Sequence, residues 1–427
     1  MRVSFNFIAA LLGVACMLPL LSNPRSVNAA EWSAQPSVRL SEGHDNNIGL
    51  TIQPHDSVRS SLFAPKLNLG ASSDIWQMTA GAEAVQNRYS GAGDLDTDER
   101  FFDMGASYKS ERSTWQVTAS KSKGSSLSNP RINPDTGVVQ SQLIHDAQSV
   151  SPSWTWAMSE LTRLRLTYSL SNVSYVNGLN VGLYDYSTRA VSATVTSVLD
   201  PYHSVFFSAG YSIFNVPATT PILISSDTAT TSQKSKSTTY QAGITRVFSE
   251  TTRGTLSVGL RKTSSEQIAI PCIDFFGTGQ ITCFSSVHIT LFNKASGTVF
   301  NGSFEKQFEN NSLSISASRS LDSSGTGAQV QYDSLSLGFN RSFTSQLAGS
   351  LSYTNSKVSQ DIGNFSGVDH RLYRIEPSLH WQWTQELTLY GSYRYTHIRR
   401  VAEAKPVTAD AVYLTLRYQW PKMAFSR

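Results

Sequence analysis

Seven basic residues at alternating positions of strand-like segments are the side chains whose types and spacing could do chemistry. Arg374 and His380 share the parity of Glu376 and Ser378. Arg394 and Arg417 take the corresponding parity in the next two segments, and Arg163, Arg165 and Arg261 do so upstream. In an extended chain, residues i and i+2 share a face. All seven therefore fall on a polar face and are expected to form a lumen-lining basic patch, with Glu376 as the expected acidic partner. Such residues on a wetted wall attract anions and disfavour cations. The plainer alternative is that they pair with acids and only brace the wall.

Covalent chemistry finds no support. The chain has no Gly-rich phosphate loop, HExxH or nucleophile elbow. Its eight histidines are scattered. Asp369-His370 and the acidic run from Asp94 to Glu99 read as solvated loops. No metal, no cofactor and no catalytic residue is expected.

The faces that must position these residues are clearest in the last segment. Val412, Leu414, Leu416, Tyr418 and Trp420 point one way; Tyr413, Thr415, Arg417 and Gln419 point the other. The pattern recurs upstream. Leu164, Leu166, Tyr168 and Leu170 oppose Arg163, Arg165, Thr167 and Ser169, and Leu256, Val258 and Leu260 oppose Ser257, Gly259 and Arg261. The polar faces are small and hydroxylated, which suits a water-filled lumen and not a packed core. Aromatic residues gather near segment ends: Trp381, Trp383, Tyr393, Tyr395, Tyr418 and Trp420 form an expected girdle at the membrane interfaces.

The N-terminus sets the compartment. Arg2 precedes an apolar stretch from Phe5 to Leu21, and Val27-Asn28-Ala29 offers small residues for cleavage. Residues 1–30 read as a cleaved signal peptide, leaving 31–427 as the barrel. A retained anchor helix is the alternative, but Pro19 breaks a run already short for a span. Without residues 1–30 the chain has 33 basic and 31 acidic residues. That near-balance argues against nucleic acid as a partner. Cys272 and Cys283 then remain, with ten residues between them. In an exported chain a local disulfide is the expected state. A metal site would want a companion His or a second Cys pair. The disulfide would clip the loop from about Ser264 to Val287, a candidate constriction.

Short polar turns near Ser72, Ser110, Ser159, Pro201, Ser249, Asn310, Thr344 and Gln385 alternate with longer links. The long links run from about Asp45 to His55, Ser90 to Asp98, Gly124 to Val139, Asn215 to Ser235, Ser264 to Val287 and Ser356 to Phe365. This asymmetry predicts an all-β, transmembrane, antiparallel up-and-down β-barrel of about 18 strands, with 16 as the alternative count. An even count places both termini in the periplasm. A secreted β-sandwich or solenoid is the competing architecture.

The opening Glu31-Trp32-Ser33-Ala34-Gln35-Pro36-Ser37-Val38, followed by Glu42, Asp45 and Asn46, resembles a family of outer-membrane β-barrels associated with the PEP-CTERM/exosortase system. The ending Leu416-Arg417-Tyr418-Gln419-Trp420-Pro421-Lys422 is similar to that family too. The resemblance implies a Gram-negative outer-membrane setting near exopolysaccharide production. Its implied partners are outer-membrane lipid, the barrel-assembly machinery, exopolysaccharide and periplasmic export components. The expected role is a non-enzymatic channel assisting polymer or solute export. The alternatives are a diffusion porin for small anions and a surface-binding barrel with a blocked lumen.

Overall fold

The computed structural model describes residues 30–52, 57–91, 95–125, 143–181, 183–217, 222–225, 228–274, 281–283, 289–327, 329–360, 369–401 and 403–426. The signal peptide expected over residues 1–30 lies outside them, save for Ala30. The described residues contain 21 strands. Three are short: β10 (Ile222–Ser225), β13 (Ile281–Cys283) and β21 (Met423–Ser426). The other 18 are the staves of one closed antiparallel barrel. They are β1 (Glu31–Asp45), β2 (Val58–Ser72), β3 (Trp76–Ser90), β4 (Thr97–Lys109), β5 (Ser113–Ser125), β6 (Ile144–Ala157), β7 (Thr162–Tyr175), β8 (Tyr186–Val198) and β9 (His203–Val216). The circle continues with β11 (Thr228–Ser249), β12 (Thr252–Asp274), β14 (Ile289–Gln307), β15 (Asn311–Ser323), β16 (Gln329–Ser342), β17 (Leu347–Gln360), β18 (His370–Gln382), β19 (Leu387–Arg400) and β20 (Val407–Gln419).

Each stave pairs with the next in sequence, and β1 closes the circle against β20, with Ser37 opposite Gln419 and Asp45 opposite Ala411. β21 extends this seam, setting Glu31 opposite Ser426 and Ala34 opposite Met423. Closure leaves no open sheet edge, which an isolated sheet would need to cover.

The alternation decides which side is wet. On β12, Leu256, Val258 and Leu260 are 57%, 61% and 64% exposed, while Ser257 and Thr263 on the opposite face are 4% and 3% exposed. Every stave whose register is followed around the barrel keeps that parity, so aliphatic and aromatic residues cover the outside and Ser, Thr and Gly line the inside. A sandwich would bury its apolar faces against each other. Here they are turned outward.

At one end the staves are joined by turns of two to four residues. Hydroxyls and carboxylates next to these turns satisfy the freed backbone donors. Thr344 Oγ1 accepts from the amides of Gln346 and Leu347, and Thr384 Oγ1 from those of Glu386 and Leu387. Ser159 Oγ serves Leu161 and Thr162 in the same way. Asp200 Oδ1 accepts from Tyr202 and His203. The Tyr202 amide first, then the His203 side chain, holds the Asp200 carboxyl below its usual range.

At the other end the structure corrects the expected loops. The links read as Asn215 to Ser235 and Ser264 to Val287 are largely strand: β11 begins at Thr228 and β12 runs to Asp274. β12, at 23 residues, is about 75 Å long at ~3.3 Å per residue. A membrane-spanning strand needs only about 9–11 residues. β11, β12 and β14 therefore project well past any bilayer on this side. β1 likewise continues to Asp45, which the sequence placed in a loop.

Candidate functional site

The lumen is the candidate site, and β18, β19, β20 and β1 carry its densest charge. β18 turns Arg374, Glu376, Ser378 and His380 inward, and β19 turns Tyr390, Ser392, Arg394 and Thr396 inward. Arg394 donates from Nε to Glu376 Oε2 at 2.8 Å. Its guanidinium also lies 5.2 Å from the centre of the Tyr413 ring, on the inner face of β20. Asp45 on β1 and Arg394 are both opposite Ala411, so one level of the wall carries Glu376, Arg394 and Asp45. Arg374 stands two residues from Glu376, and its Nε has no hydrogen-bond partner.

The predicted basic residues do not form one patch. Arg417 is opposite Thr388, and Thr388 is opposite Gln382, so Arg417 lies about 26 Å along the strands from Arg374 at ~3.3 Å per residue. It faces Arg39 across the closure seam, and Arg39 Nη2 reaches Glu83 Oε1 at 2.9 Å. His380 sits between the two levels, stacked on Tyr390 at 4.4 Å. Arg163 and Arg165 are inward and exposed on another wall, near the short turn between β6 and β7. Arg261 is inward too, 2% exposed, over Gly297 on β14. A Cβ at Gly297 would come within 2.6 Å of Arg261 Nη2, so the glycine makes room for the guanidinium. Sequence reasoning missed Arg39, Glu83 and Asp45 as members of the site. Strand parity was their available signal.

The mouth at the long-link end is bridged. The Tyr184 amide donates to the Gly325 carbonyl at 2.7 Å, and the hydroxyls of Thr188 and Ser323 are 3.1 Å apart. These contacts join the end of the β7–β8 hairpin to the end of the β15–β16 hairpin. Four staves, β9, β11, β12 and β14, lie between those hairpins around the barrel. Tyr184, Tyr186, Phe214 and Val216 form a buried cluster under the bridge, with Val173 and Tyr175 against it. Burial pushes the Tyr184 phenol up to about 12, so it stays neutral.

The predicted constriction by the Ser264–Val287 loop falls mostly outside the described residues beyond Asp274. So do the side chains of Cys272 and Cys283. Their backbones are directly opposed where β12 pairs with β13.

The six girdle residues face outward but divide between levels. Trp381 and Trp383 stack at 5.6 Å, and Tyr418 and Trp420 meet edge-on at 4.8 Å, all near the short-turn end. Tyr393 and Tyr395 sit higher, and the Tyr393 hydroxyl donates to Asp410. Trp115, Trp154 and Trp156 continue the short-turn belt on β5 and β6, with neighbouring rings 5.6 and 6.0 Å apart.

No protein-family model and no curated protein matches the chain. Among solved structures it is similar to the ferric-catecholate import receptor Fiu from E. coli K12, with 9% identity, a TM-score of 0.49, and coverage of 91% of this chain and 81% of that one. It is also similar to OccAB2 from Acinetobacter baumannii, with 12% identity, a TM-score of 0.44, and coverage of 91% and 98%. For the outer membrane protein OpdK from Pseudomonas aeruginosa the values are 10%, 0.41, and 92% and 99%. Likeness this distant transfers no substrate and no site residue to this chain.

Proposed function

We propose that the chain is a non-enzymatic outer-membrane channel with both termini in the periplasm, assisting passage of exopolysaccharide or another hydrophilic solute. One observation carries the reading: the barrel is apolar outside and hydroxylated inside along its staves. An apolar band that encircles the molecule exceeds what a soluble protein exposes, whereas lipid accommodates it. Ser, Thr and Gly facing inward leave a wall that water can wet. The exopolysaccharide component rests on the sequence resemblance. In this reading outer-membrane lipid surrounds the barrel, the assembly machinery inserts it, and Tyr418 and Trp420 supply the aromatic ending of its last full strand.

Two other readings each have an observation in their favour. Arg374, Arg394, Arg39 and Arg417 favour a porin for small anions. The bridged mouth favours a barrel whose lumen stays shut and whose outer surface binds. Planar-bilayer conductance of the purified barrel separates them: stable single-channel steps are expected, and a silent membrane with folded protein inserted would sink both channel readings. Polymer measured outside a deletion strain then tests the cargo. Loss of extracellular polymer with retention in the periplasm is expected, and unchanged polymer leaves the anion porin.

A further inference from the structure

The outer faces of β11, β12 and β14 change character abruptly above the apolar band. Tyr240 and Leu260, opposite each other, are 53% and 64% exposed and mark its upper limit on these strands. The next outward positions are Thr238, Lys236 and Lys234 on β11, Lys262, Ser264 and Glu266 on β12, and Ser296, Lys294 and the exposed Phe292 on β14. Lys236 is opposite Ser264, and Ser264 is opposite Lys294, so these two lysines flank one strand, about 10 Å apart at ~4.8 Å per strand. Lys262 sits diagonally below them, and Lys234 continues the row above. Four exposed lysines thus share one face with a single acid, Glu266.

Some outward cations elsewhere on the rim are neutralised in place, whereas Lys357, Arg371 and Arg399 form a second outward cationic row. Arg319 pairs with Asp333 at 2.7 Å, Arg88 with Asp98 at 2.9 Å and Arg59 with Glu42 at 3.3 Å. Among the described residues, no ion pair involves Lys234, Lys236, Lys262 or Lys294.

Height identifies the partner. Lys236 lies twelve residues above Phe248, the outward aromatic at the short-turn end of β11. That is about 40 Å along the strand, or about 30 Å across the membrane at a ~40° tilt. The apolar band of such barrels is ~25 Å tall. The lysines therefore sit just beyond the hydrocarbon, on a lateral face turned toward lipid and away from the mouth. Four flexible ammonium groups at headgroup level suit clustered phosphate oxygens.

We propose that this face binds the phosphorylated headgroup of a glycolipid in the outer leaflet. The inference rests on the outer-membrane reading. The test uses the full-length barrel, refolded in neutral detergent and titrated with lipid A or with lipid A stripped of its phosphates. Thermal unfolding is followed by the heat-dependent shift in gel mobility. Lipid A is expected to raise the unfolding temperature, the dephosphorylated form to raise it much less, and salt to weaken the difference. The combined variant Lys234→Gln, Lys236→Gln, Lys262→Gln and Lys294→Gln should lose the phosphate-dependent increment. A control variant, Lys66→Gln, changes an inward lysine and should keep it. Equal stabilisation of wild type and combined variant, or equal stabilisation by both lipids, overturns the proposal. So does an increment reproduced by a soluble acidic polysaccharide in place of lipid A. If the combined variant does not fold, Lys236→Gln with Lys294→Gln gives the same comparison with a partial loss expected. Conductance steps without a phosphate-dependent shift would reject this site and leave the channel reading intact.

Discussion

At the scale of single residues, the lumen is organised by charge pairs with unequal partners. Arg394 has Glu376 at 2.8 Å, whereas Arg374, two positions from the same carboxylate, leaves Nε without an acceptor. Removing the carboxylate should expose both guanidiniums to passing ions. At ~7 Å in water-like dielectric a unit charge acts on an ion by about 0.6 kcal/mol, close to a factor of three. Glu376→Gln is therefore expected to raise anion-over-cation permeability by roughly that factor. Arg374→Ser should lower it comparably, as read from reversal potentials in asymmetric salt. Unchanged reversal potentials in both would show that these groups only brace the wall. Parity alone told which of these residues face inward, because a strand has no other periodicity. Their grouping was not legible. Arg374 and Arg417 are separated by the register that turns and tilt impose, and no property of either residue records it.

At the scale of elements, the short turns were readable and the long strands were not. Ser159, Asp200, Thr344 and Thr384 announce turns because their side chains cap backbone amides two and three residues on. The upper halves of β11 and β12 carry Lys234, Lys236, Lys262 and Glu266 outward and Gln233, Ser235 and Ser265 inward. Above the membrane both faces are polar, so the alternation that betrays a strand disappears and the sequence resembles a loop. The bridge between the β7–β8 and β15–β16 ends was equally hidden, since it depends on backbone and hydroxyl groups far apart in the chain. It has a defined weak point. A Cβ at Gly325 would lie 2.4 Å from Tyr175 Oη, so a larger residue must displace the Tyr175 ring or the hairpin tip, and either movement loosens the cluster beneath the bridge. Gly325→Leu is expected to open the mouth and increase single-channel conductance, while the heat-dependent gel shift still reports a folded barrel. An identical conductance would mean that the bridge does not restrict the path.

For the whole molecule the decisive feature is the closure seam, since β1 and β20 keep open edges until the far ends of the chain meet. The aromatic ending at Trp420 looks like the last useful residue in sequence. Yet the Trp420 amide donates to Pro36 O at 3.1 Å, and β21 resumes the ladder along Glu31–Ala34. Without β21 those four residues of β1 would present an unpaired edge at the short-turn rim. The backbone pairing of Trp32 with Phe425 would be lost with them. Cross-strand pairs contribute roughly 0.2–1 kcal/mol each, so deleting residues 423–427 should cost on the order of 1–3 kcal/mol. The expected result is a lower temperature for the gel-mobility shift and a smaller folded fraction after insertion into vesicles. Lys422→Ala, which removes only an exposed 3.1 Å pair with Glu31, should leave both nearly unchanged. If the deletion variant shifts at the wild-type temperature, closure is complete at β20, and the residues beyond Trp420 ride on a barrel that does not need them.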